Sequence, residues 1–97
     1  MSDVEEVKTR VDIVEVVSER VPLKKTGRNL KGLCPFHNEK SPSFIVSPDR
    51  QTFHCFGCGK GGSVFDFVML YEHLDFAESL EVLAHRANFT LTRRAPE

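Results

Sequence analysis

Three cysteines and one histidine stand in two tight pairs, Cys34-Pro-Phe-His37 and Cys55-Phe-Gly-Cys58, with 17 residues between them. Thiolate and imidazole are donors that a borderline-soft cation such as Zn2+ prefers. Two intervening residues let a chain turn back so that both side chains of a pair reach one ion at about 2.0–2.3 Å. Pro35 stiffens the first turn, while Gly57 and Gly59 give the second its backbone freedom. Four protein donors fill a tetrahedral ion and leave no position for activating water. The expected cofactor is therefore one structural Zn2+ held by Cys34, His37, Cys55 and Cys58. An iron–sulfur centre prefers four thiolates, which disfavours it here. A redox Cys-x-x-Cys would use Cys55 and Cys58 but leave Cys34 and His37 as coincidences, and no thioredoxin-like βαβ pattern is present. His54 neighbours Cys55, but in a strand it points to the opposite face, so it is assigned away from the metal.

The interval between the pairs must fold back to bring them together. The run "SPSFIVSPDRQTFHCF" reads as two strands joined by a turn around Pro48, Asp49 and Arg50, preceded by a shorter extended run, "NLKGL". Helices are expected on both sides. A first turn of helix is placed near residues 3–8, and a second helix at 12–20, where Asp12 and Glu15 spell a helix start and Pro22 a stop. Ser63 with Asp66, and Asp75 with Glu78, repeat that spelling and place helices at about 63–73 and 75–87. Val64, Phe67, Val68, Tyr71 and Leu74 then share one core-facing stripe, and Phe76, Leu80, Leu83, Ala84 and Ala87 another. Phe36, Phe44 and Phe53 also read as core. The fold class is α+β: a zinc-ribbon-type small antiparallel sheet over 24–62 flanked by short helices at 3–20 and 63–87. Residues 1–90 form one zinc-binding domain, and 91–97 a tail or linker.

Ninety-seven residues can bury a core but benefit from a metal cross-link. An odd number of cysteines and an amino terminus unlike a secretory signal favour a reducing cytoplasm, and no apolar run approaches the roughly 20 residues of a membrane span. The net charge of -1 hides a division along the chain. Residues 1–21 carry six acids against three bases, 22–63 two against seven, and 64–97 six against three. A basic centre between acidic flanks fits a localised anionic partner, either nucleic acid or an acidic protein, although a solvated face would give the same count. Arg50, Thr52 and His54 fall on one side of their strand and Phe53 and Cys55 on the other, with Lys40 and Lys60 in the flanking loops. Lys24, Lys25, Arg28 and Lys31 precede or enter the first strand. Lysine and arginine on such a face suit phosphate oxygens, and a ring such as His54 or Phe56 can stack on an unpaired base. No helix carries the basic stripe of a major-groove reader.

The segments "GLCPFHNEKSPSF" and "FHCFGCGKGGSVFDFV", with the capped helix before them, resemble the amino-terminal zinc-binding domain of bacterial DNA primases of the DnaG type. The likeness covers nearly the whole chain and includes the Cys-His-Cys-Cys order and spacing. Several phage helicase-primases use four cysteines instead, yet primases carried by phages or plasmids can share the module. The resemblance implies a domain that engages single-stranded DNA template and helps select the initiation site. It implies a separate polymerase domain, of the same or a neighbouring primase, that joins ribonucleotides with clustered acids and Mg2+, and a replicative helicase as a partner of the full-length protein at the fork. Carried over residue by residue, it implies metal ligation by Cys34, His37, Cys55 and Cys58 and template contacts by Arg28, Lys40, Arg50, His54 and Lys60. No acid pair in this chain has a convincing catalytic or metal-binding context, so no catalytic residue is expected here.

Overall fold

The computed structural model describes residues 3–36 and 42–89. Helix α1, Asp3–Arg10, runs two residues beyond the expected 3–8; its early acids and late bases complement the helix dipole. Helix α2, Ile13–Ser18, is shorter than the expected 12–20. Its first turn departs from the sequence signal. Asp12 accepts from the Val14 amide, but the amide of Ile13 donates to Gln51 Oε1 at 2.8 Å, and Gln51 Nε2 donates to Asp12 Oδ1 at 3.2 Å. A side chain from the middle of the chain thus helps hold this helix start.

Between the helix pairs lies a five-stranded antiparallel sheet in sequential order: β1 Lys24–Thr26, β2 Asn29–Gly32, β3 Phe44–Ser47, β4 Thr52–Cys55 and β5 Gly61–Gly62. Three strands coincide with the expected runs. Strands β1 and β5 are additions, a short lysine-bearing edge and a glycine pair, both poor templates for edge-to-edge pairing. Gly27 turns the first hairpin with a φ of 65°, a left-handed value suited to glycine. The β3–β4 hairpin turns over Pro48–Gln51 as expected, closed by the Gln51 amide donating to the Ser47 carbonyl at 2.8 Å.

Helices α3, Val64–Glu72, and α4, Phe76–Arg86, begin with reciprocal capping boxes, Ser63 with Asp66 and Asp75 with Glu78. Helix α3, with α2, covers the inner face of the sheet, where Val46, Phe44, Phe53 and Cys55 are buried, and α4 packs against α3 and α1. Phe36, Phe44, Phe53 and Phe67 form an aromatic nucleus in which every pair of ring centroids lies between 5.4 and 6.2 Å, tilted or edge-on in all but the stacked Phe44–Phe53 pair. Of the expected α4 stripe, Leu83 and Ala84 are buried, whereas Phe76 remains 43 % exposed while packing one edge on Phe65. At the first turn of a helix few neighbours stand over a side chain, so the ring is only partly covered. Arg86 closes a bidentate clamp on Glu19 and Arg20 pairs with Glu72, tying α2 to the carboxy-terminal helices. Among the described residues, no helix is long and apolar enough to cross a membrane.

Candidate metal centre and nucleic-acid interface

Cys34 follows the end of β2, and Cys55, the first residue of the second pair, ends β4. Gly32, Phe44 and Cys55 are neighbours across β2, β3 and β4, so the sheet carries the cysteines that follow β2 and end β4 to one end. The sulfurs of Cys34, Cys55 and Cys58 all lie within 4.8 Å of one another. Cys34 and Cys58 are 3.8 Å apart, well beyond the roughly 2.05 Å of a disulfide. Two sulfurs each about 2.3 Å from a tetrahedral ion stand about 3.8 Å from one another, so the spacing suits a shared cation. Backbone amides reinforce the donors: Phe36 N–H points to Cys34 Sγ at 3.4 Å and Gly57 N–H to Cys55 Sγ at 3.3 Å. Ser43 Oγ lies 3.6 Å from Cys55 Sγ. Amide dipoles directed at sulfur favour thiolate, while burial opposes it; burial pushes the bare Cys34 thiol up to about 12, so an arriving cation must displace its proton. His37 lies outside the described residues, as does Lys40.

The opposite, outer face of the sheet holds the other candidates. Burial alternates along β4, with Phe53 and Cys55 inward and His54 exposed. Lys31, Ile45, His54 and Gly61 form one cross-strand row on the outer side. Beside it runs an open groove of about 480 Å³ whose wall includes Arg28, Asp49, Arg50, His54 and Phe56. Phe56 is 73 % exposed, and its ring meets His54 edge-on at 4.5 Å between centroids. The structure thus brings Arg28, Arg50 and His54 to one surface. Lys60 stands apart and lines a second depression with Pro35, Phe36, Leu70 and Tyr71. Gly59, at a φ of 83°, turns the chain back after the knuckle, and the Lys60 carbonyl accepts from the Cys55 amide at 2.8 Å.

Gly61 pairs directly with His54. A methyl group there would meet the Phe53 carbonyl oxygen at 2.8 Å and His54 Nδ1 at 3.0 Å. Gly61→Ala is therefore expected to lower stability by about 1–3 kcal/mol and to shift the His54 ring resonances, measured by thermal melting and by NMR. An unchanged spectrum would mean that β5 does not hold the ring.

The convergent sulfurs belong to a known pattern, for the family model described as a CHC2 zinc finger matches residues 1–97. The chain belongs to the CHC2 zinc finger family. As a CHC2 zinc finger it is 55 % identical over 91 residues to a DNA primase of Halalkalibacterium halodurans, covering 94 % of this chain and 15 % of the relative. It is 52 % identical over 92 residues to a DNA primase of Pseudomonas aeruginosa, covering 95 % of this chain and 14 % of that protein. A crystal structure of the zinc-binding and RNA polymerase domains of the Aquifex aeolicus primase superposes with a TM-score of 0.90 at 46 % identity, over 94 % of this chain and 23 % of that one. This CHC2 zinc finger thus spans about one seventh of the length of the curated primases it matches. It is a zinc-binding domain of the DNA-primase type, α+β in class, with three cysteines gathered at one end of its sheet. Sequence reasoning missed Gln51 as the link between hairpin and helix, because its partners at Asp12 and Ile13 are far away in sequence.

Proposed function

We propose that this domain presents single-stranded DNA template to a primase, on a cationic sheet face held rigid by one structural zinc ion. Cys34, Cys55 and Cys58 with His37 hold the ion; four protein donors make it a fold-stabilising cross-link and not a catalyst. Arg28, Arg50 and Lys40 contact phosphate, and His54 with Phe56 offers a surface for an unpaired base. Lys60, which lines the other depression, is a further proposed phosphate contact. Primer synthesis belongs to a polymerase domain, with its Mg2+, joined through residues 91–97 to a zinc-binding unit of residues 1–90. That domain, in the same or a neighbouring primase, and a replicative helicase are the proposed protein partners, in a bacterial cytoplasm.

The observation that carries this reading is Phe56, a large ring left 73 % exposed beside His54 at the rim of a groove that also holds two arginines. Aromatic stacking on a base is worth about 1–3 kcal/mol by alanine substitution, so Phe56→Ala is expected to weaken binding of a fluorescent single-stranded oligonucleotide about tenfold. Arg50→Ala should reduce the dependence of log affinity on log salt by about 0.7. Neither change should alter zinc content or melting, since both side chains are exposed. Unchanged DNA binding in both variants would favour a protein-docking role for the face.

A further inference from the structure

We propose that Asp49 is a built-in competitor for the cationic groove: its carboxylate rests on Arg28 and must be displaced by a phosphate of the incoming strand. The idea rests on the reading of the outer sheet face as a polynucleotide site. Arg28 sits at the tip of the β1–β2 hairpin and Asp49 at the tip of the β3–β4 hairpin; pairing of β2 with β3 brings the tips together. Arg28 Nη1 lies 3.4 Å from Asp49 Oδ2, with the two side chains 88 % and 69 % exposed. Asp49 is the sole carboxylate among the described residues that line the groove with Arg50, His54 and Phe56. Arg28 and Asp49 also border a second open groove, of about 620 Å³, that runs toward Lys25 and Val14. The ion pair therefore stands as a divide between two depressions, at the place where a strand tracking from one to the other would pass.

A long contact between two exposed side chains is weak and exchanges readily with water and salt. A phosphate offers the planar guanidinium paired acceptors and forms the stronger, often bidentate contact. Displacement of Asp49 then leaves its charge beside the bound strand, which weakens binding and makes it less steeply dependent on salt. Asp49 thereby tempers the affinity of the groove for a strand that places a phosphate at Arg28.

The test is a double-mutant cycle on the zinc-loaded chain, using fluorescein-labelled oligodeoxythymidylate over a range of salt. Asp49→Asn is expected to tighten binding about three- to fivefold and to steepen the salt slope by about 0.7. In the Arg28→Ala background the same substitution should give less than half of that gain. Asp49→Ser should repeat both results, and melting should confirm that each variant is folded. Equal gains in both backgrounds would overturn the proposal in favour of a general charge effect, and weaker binding by Asp49→Asn would overturn it in favour of direct contact between Asp49 and the DNA. Arg50→Ala in the same series separates the two levels. If Arg50→Ala weakens binding while Asp49→Asn does not tighten it, only the competitor falls; if neither arginine matters, the groove itself is not the site.

Discussion

Replacing Cys55 by serine is expected to abolish stoichiometric zinc and the cooperative unfolding of the sheet. Cys55 is fully buried between the second knuckle and Phe44, its sulfur within 4.8 Å of those of Cys34 and Cys58. Structural zinc contributes about 10–16 kcal/mol of apparent binding energy to folding. A domain of this size is stable by only about 5–15 kcal/mol in all, so losing the ion removes most or all of that margin. Chelation of the unsubstituted chain should give the same state, reversed by added Zn2+. Metal analysis with near-ultraviolet circular dichroism checks both; a Cys55→Ser chain that melted cooperatively within a few degrees of the parent would show that the fold does not depend on the site.

Phe67→Ala should be the most damaging change remote from the sulfurs. Phe67 is 1 % exposed and lies 5.8 Å from Phe36, 5.8 Å from Phe53 and 6.2 Å from Phe44, with Tyr71 stacked at 5.5 Å. Truncating a buried phenylalanine costs about 3–5 kcal/mol, the lost transfer energy plus the cavity left behind. At about 4–8 °C per kcal/mol for a domain of this size, the melting temperature should fall by about 15–30 °C. Phe67→Leu should recover a large part of the loss. Phe36 follows Cys34 by two residues, so the nucleus also buttresses the first knuckle; zinc affinity should weaken while stoichiometry stays the same. A shift of only a few degrees would mean that the aromatic nucleus is not what joins sheet to helices.

Features encoded within a few residues were legible from the sequence. The Ser63–Asp66 and Asp75–Glu78 boxes form as spelled because both partners of each lie in one turn of helix. The alternation along Thr52–Cys55 likewise placed His54 outward and Cys55 inward. Asp12 and Glu15 carry the same spelling, but there the second partner is Gln51, whose side chain reaches across from a hairpin turn where its φ is 57°. No local pattern announces such a contact. Strand β5 was hidden because two glycines have no side chains to alternate; its pairing with Phe53 and His54 is a property of the close approach that glycine allows. Lys60 lies next to the hairpin in sequence, and after the turn at Gly59 it lines a depression with Phe36, Leu70 and Tyr71, a neighbourhood that no local pattern spells. The convergence of three cysteines was readable from spacing alone, because the interval between the pairs is one antiparallel hairpin with its connections.

The most direct test of the metal centre is X-ray absorption at the zinc edge on the natively purified chain, alongside the same measurement on His37→Ala. One zinc per chain with three sulfurs at about 2.3 Å and one nitrogen at about 2.0–2.1 Å is expected, the nitrogen being lost or replaced by a solvent oxygen in His37→Ala. Absence of stoichiometric zinc, or an unchanged nitrogen shell in His37→Ala, would contradict a cation held by Cys34, His37, Cys55 and Cys58.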